Sequence, residues 1–166
     1  MNSSNISSLT ELKSTIKNRI KGHVAVVGIG NIIRGDDALG PKFIEILKSR
    51  SLESVSLFDC GTAPENYIFP ILSSSCDTVM LVDAADLKVA PGSIRIFDLD
   101  EITNVSFSTH NPSPRLFIDL LTTGKESLNI FVVSVQPKST NLGEGLSKEV
   151  LRGLDVLADA FSEALL

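Results

Sequence analysis

The chain has 166 residues, 43% of them hydrophobic and 21% charged, and a formal net charge of −5. That length suits one domain with a sizeable core, and an acidic balance without a basic run disfavours nucleic acid and membrane surfaces as partners. Met1 to Ser8 carry neither a basic n-region nor an apolar h-region, and no later apolar run approaches membrane-spanning length, so a cytoplasmic protein is expected.

In chain order, Ser8-Leu9-Thr10-Glu11 reads as a capping box opening an amphipathic helix, with Leu9, Leu12, Ile16 and Ile20 on one face. Apolar β-rich runs then alternate with helical patterns: strand His23–Gly28, helix Ala38–Ser49, strand Val55–Asp59, helix Pro64–Ser73 and strand Thr78–Asp83. A short strand Ser93–Phe97, helix Ser113–Leu121, strand Asn129–Val135 and helix Ser147–Leu165 complete the series. Near-continuous runs such as Val24-Ala25-Val26-Val27 are expected of strands covered on both faces. The fold class is therefore α/β, a three-layer sandwich with a mostly parallel twisted sheet between helices. Ser93–Phe97 follows Thr78–Asp83 too closely for a parallel crossover, so it is expected as an antiparallel neighbour. No repeat or linker divides the chain. Residues 1–166 read as a single domain, with about 1–22 as an N-terminal helical extension.

The run Gly28-Ile29-Gly30-Asn31-Ile32-Ile33-Arg34-Gly35-Asp36-Asp37-Ala38-Leu39-Gly40-Pro41 places two adjacent carboxylates beyond the first strand, where ligand sites of α/β domains collect. An Asp before a helix ordinarily caps it; one can cap, and the second is left over. The dinucleotide fingerprint fails because Ile33 stands where a third glycine belongs, and no Gly-Lys-Ser/Thr follows to make a phosphate loop. A nucleotide-binding regulator is argued down by the missing glycine and by the acidic pair, which would repel a pyrophosphate.

Asp59 ends the second strand, Asp83 and Asp86 end or follow the third, and His110 stands in a later loop. If the first three strands are parallel, these groups share one edge of the sheet and converge on one crevice. Taken singly, Asp83 could bind loop amides and His110 could sit at the surface; His23, the only other histidine, begins a strand. One imidazole with two carboxylates suits a divalent metal such as zinc or nickel and leaves a coordination position open. Cys60 and Cys76 form no Cys-x-x-Cys pair and read as small core residues.

Gly28-Ile29-Gly30-Asn31, Gly35-Asp36-Asp37, Gly40-Pro41, Asp59-Cys60-Gly61-Thr62-Ala63-Pro64-Glu65-Asn66, Val82-Asp83-Ala84-Ala85-Asp86, Pro91-Gly92-Ser93-Ile94-Arg95 and Ser108-Thr109-His110 resemble, in order, the [NiFe]-hydrogenase maturation proteases. The Ala-Pro-Glu-Asn segment is most similar to the branch serving hydrogenase 3, the formate-hydrogenlyase type. The resemblance runs from about His23 to Gln136. It implies an endopeptidase that removes the C-terminal extension of the large-subunit precursor, on which nickel is carried; the protein itself is expected to be a monomer. It further implies that Asp37, Asp83 and His110 contact the metal, with Asp36 and Asp59 as secondary candidates, Asp59 tuning substrate or metal choice. Ala38 stands where the family often has glycine. The alternative is a non-catalytic nickel- or metal-binding accessory protein on the same sheet.

Overall fold

A computed structural model describes residues 8–102, 105–107 and 114–166. Helix α1 (Leu9–Arg19) begins as the capping box predicts, with the Ser8 hydroxyl accepting from the Glu11 amide at 3.2 Å. Leu12 and Ile16 are its buried residues, whereas Leu9 is exposed. Strand β1 (Val24–Ile29) leads through a 3-10 turn (Gly35–Ala38) into α2 (Leu39–Lys48). Strand β2 (Val55–Gly61), a second 3-10 turn (Pro64–Tyr67) and α3 (Ile68–Ser73) follow. Then come β3 (Thr78–Asp86), β4 (Ile94–Phe97), β5 (Ser106–Phe107), α4 (Pro114–Gly124), β6 (Asn129–Val135) and α5 (Lys148–Ala164).

The sheet runs β2-β1-β3-β6-β4, with β5 attached to β3. The first four strands of that order are mutually parallel, and β4 is antiparallel to β6. The short strand is thus antiparallel as expected, but its partner is β6 and not β3. The apolar runs of β1 and β3 occupy the middle of the sheet and are almost wholly buried, as strands covered on both faces must be. Strand parity sorts the core into two halves. Val24, Val26, Met80, Val82, Phe131 and Val133 meet α1, α2 and α5, whereas Val27, Val79, Leu81 and Val132 meet α3 and α4. Among the described residues no helix is long and apolar enough to cross a membrane.

Because β2 and β3 lie on either side of β1, the connections leaving β1 and β3 diverge to opposite faces, and a crevice opens between the carboxyl ends of these strands. Seating α2 beside that crevice needs two missing side chains. A Cβ on Gly28 would lie 2.4 Å from the Gly40 carbonyl oxygen, and one on Gly40 would lie 2.1 Å from that of Ile29. The first turn of α2 therefore rests backbone-on-backbone against the end of β1.

In an unconstrained helix Gly→Ala gains about 1 kcal/mol. Gly40→Ala is expected to reverse that sign and lower stability by about 1–3 kcal/mol through overpacking. The reading is a lower denaturant midpoint at unchanged slope; an equal or higher midpoint would disprove the close approach.

Candidate active site

The 3-10 turn after β1 holds the acidic pair, and its two members face different work. Asp36 is 1% exposed, and its carboxylate accepts four hydrogen bonds from the loop between β6 and α5. Oδ2 takes the Lys138 amide at 2.7 Å, the Ser139 amide at 3.2 Å and the Ser147 hydroxyl at 2.9 Å, while Oδ1 takes the Ser147 amide at 2.6 Å. Neither carboxylate caps its own helix: no side chain caps the 3-10 turn or α2. Asp36 serves a distant loop, and its accepting capacity is consumed there.

Asp37 is 2% exposed, with its amide bonded to the Arg34 carbonyl and its carbonyl to the Asn31 amide. The turn that carries it packs against β3. Ala38 has φ −76°, so the turn makes no demand for glycine at that position. Asp83 is 1% exposed and its Oδ1 accepts from the Ala84 amide at 2.7 Å. It does not end β3 as expected. The parallel pairing stops at Ala84, opposite Val135, and β3 continues to Asp86 by pairing antiparallel with β5. Strand β5 runs back along β3 toward the level of Asp83 and ends at Phe107. His110 lies outside the described residues.

The structure thus brings Asp37 and Asp83 to the crevice between the ends of β1 and β3, two carboxylates withdrawn from water. It does not bring Asp59 there. Asp59 has the parity of Val55 and Leu57, facing the α2 side, whereas Asp83 has the parity of Leu81 and Ala85, facing the α4 side. Asp59 is exposed, accepts from the Gly61 amide at 3.2 Å and borders a groove beside α2. The convergence expected for all the strand-end carboxylates therefore fails for this one, because alternation sends it through the other face. Asp86 is also spent locally. It accepts from the Lys88 amide and ammonium, which hold its carboxyl below the usual range. His23, at the opposite edge, bonds to Ser56.

Two polar residues missed by the sequence reading lie level with Asp83. Ser134 on β6 is its register partner, and Arg95 on β4 is the partner of Ser134, so the three form a row across the α4 face spanning about 10 Å. Ser134 is fully buried, and the Arg95 guanidinium lies 6.0 Å from the Phe97 ring centroid. Each interrupts an otherwise apolar strand, a visible signal, but only the register reveals that both interruptions meet Asp83. Among the described residues no three His, Cys, Asp or Glu side chains group as a metal site. Two buried carboxylates are two of the three donors such a set needs, and a third ligand would complete it. Cys60 and Cys76 are buried free thiols. Burial, aided by Asp59, pushes the Cys60 thiol up to about 12, so it stays protonated at neutral pH and is no nucleophile.

Asp36→Asn is expected to cost at least about 2 kcal/mol, since the amide cannot replace both oxygens as acceptors for charge-assisted bonds. The check is chemical denaturation beside Asp37→Asn, which should lose less stability than Asp36→Asn. Equal losses for the two would remove the distinction between them.

A family model described as hydrogenase maturation protease matches residues 41–164. The hydrogenase 3 maturation protease of Escherichia coli K12 is 34% identical over 111 residues, covering 66% of this chain and 69% of that protein. The crystal structure of a [NiFe] hydrogenase maturation protease from Thermococcus kodakarensis superposes with a TM-score of 0.82 at 30% identity, covering 91% of this chain and 98% of the other. The solution structure of an endopeptidase from Escherichia coli superposes at 0.74 with 28% identity, covering 82% and 87%. With that match over most of its length and the same α/β frame, the chain belongs to the hydrogenase maturation protease family.

Proposed function

We propose that this chain is an endopeptidase that removes the C-terminal extension from the large-subunit precursor of a [NiFe]-hydrogenase after nickel has been inserted. The observation that carries this reading is the pair of buried carboxylates, Asp37 and Asp83, at the strand-end crevice of a chain belonging to this protease family. Nickel is here part of the substrate. Asp37 and Asp83, joined by His110, would grip it through carboxylate oxygens and an imidazole, a donor set suited to borderline divalent ions.

Gripping the precursor's metal holds the adjoining peptide bond beside the same groups, which converts a bimolecular encounter into a positioned reaction. In the hydrolysis, a carboxylate of this pair takes a proton from water as the oxygen bonds to the scissile carbonyl carbon. The proton passes to the departing amine as the carbon–nitrogen bond breaks. No serine elbow is present in the sequence, and the Cys60 thiol stays protonated, which leaves the carboxylates as the groups fit for the proton transfer.

Asp37→Asn, Asp83→Asn and His110→Ala should each abolish processing of the nickel-loaded precursor while leaving the denaturation midpoint near wild type. The side-chain amide introduced by Asp83→Asn would keep an oxygen for the Ala84 backbone amide. Loss of one C-terminal peptide, followed by mass, is the readout, and normal rates in any two variants would overturn the ligand set. Wild-type protein that binds the precursor without cleaving it would instead fit the accessory role.

The metal grip carries a second expectation. With purified protein and no added metal, nickel-loaded precursor should be cleaved and nickel-free precursor left intact. Equal cleavage of the two forms would refute the grip and leave the peptidase standing.

A further inference from the structure

The loop between Asn31 and Asp37 exposes two large apolar side chains, Ile32 at 71% and Ile33 at 56%, immediately beside the site. Leu142, at 69%, stands next to them, because the Gly143 amide donates to the Ile33 carbonyl at 2.8 Å. Scattered exposed leucines need no explanation, but adjoining ones at a catalytic mouth do. These three are also held rigidly. The Gly35 amide donates to the Glu144 carbonyl, the Asp36 amide to the Ser139 carbonyl, and the Asp36 carboxylate takes its four bonds from the same loop.

From Ile32 a groove of about 380 Å³ continues past Pro41, Ile44 and Leu146, with Lys42 and Asp59 at its rim. Arg34, half-buried between the isoleucines and the acidic pair, makes no side-chain hydrogen bond or ion pair among the described residues. Adjoining exposed apolar side chains rimmed by polar groups mark protein-interaction surfaces, and arginine is a residue type enriched where such surfaces bind tightly.

We propose that Ile32, Ile33 and Leu142 form a fixed apolar platform on which a polypeptide segment of the precursor, carrying apolar side chains, docks as it enters the site. This rests on the reading that the substrate is a protein. The occupant is the precursor and not a second copy of this chain, because the platform shares one loop with Asp37, and a second copy seated there would obstruct the crevice that the substrate must enter. Pre-ordering the platform spares the complex the entropy of fixing two loops on binding.

The test substitutes Ile32→Glu and Leu142→Glu separately, both at surface positions where folding is little affected, with Val156→Glu on the α1 side of α5 as the control. With nickel-loaded precursor, KM is expected to rise about tenfold or more for the first two while kcat stays within about twofold, and neither constant should move for the control. A second arm measures precursor binding in the Asp83→Asn background with and without Ile32→Glu, and expects a matching loss of affinity. If the wild type binds precursor without cleaving it, the peptidase reading fails, and the platform stands on the binding arm alone. Unchanged KM and affinity in both variants would overturn the platform, as would failure of the wild type to bind precursor. So would a wild-type dimer in sedimentation that Leu142→Glu dissociates, since the patch would then belong to a second copy.

Discussion

Two carboxylates cannot stand side by side in a partly buried turn unless their charges are drawn to different partners, and the way this is met organises the molecule. Asp36 turns toward three backbone amides and a hydroxyl of the loop between β6 and α5. Charge-assisted bonds of this kind are roughly twice as strong as neutral ones. Asp37 is then held against the sheet by the backbone of its own turn, and it meets the end of β3 because Gly28 and Gly40 let the first turn of α2 sit directly on β1. One acidic residue ties the loop between β6 and α5 to the turn, and its neighbour is held against the sheet beside β3.

The strand order supplies the remaining constraint. Placing β2 outside β1 and β3 inside it opens a crevice at the sheet edge, which residues leaving β1 and β3 line. Asp83 qualifies by position and parity. Asp59 is one strand further out and faces the α2 side, which fits a contact with a chain approaching over α2 better than one with the atoms at the crevice. The row Asp83–Ser134–Arg95 extends the polar character of the site under α4, with a small serine leaving room between a carboxylate and a guanidinium.

Much of this was legible beforehand where the signal was local. Continuous apolar runs located every long strand, and Asn129–Val135 agrees at both ends. The carboxylates of the crevice were visible as polar residues at strand exits. What escaped depended on pairing between distant segments. The two-residue β5 has no pattern of its own and exists because β3 outgrows the parallel sheet. The antiparallel sense of β4 followed from a short connection, but its partnership with β6 required the strand order. The division of labour between Asp36 and Asp37 was hidden for the same reason, since the amides that claim Asp36 lie more than 100 positions away.

Ser147 has a double attachment. Its hydroxyl donates to Asp36 and also accepts from the Val150 amide, so the same oxygen that starts the C-terminal helix closes the turn of the acidic pair. Unwinding the first turn of α5 would therefore disturb two of the four bonds to the Asp36 carboxylate, those from the Ser147 amide and hydroxyl, while the Lys138 and Ser139 amides hold the loop independently. The turn that carries the acidic pair is thereby tied, through one hydroxyl, to the start of the longest helix in the described chain.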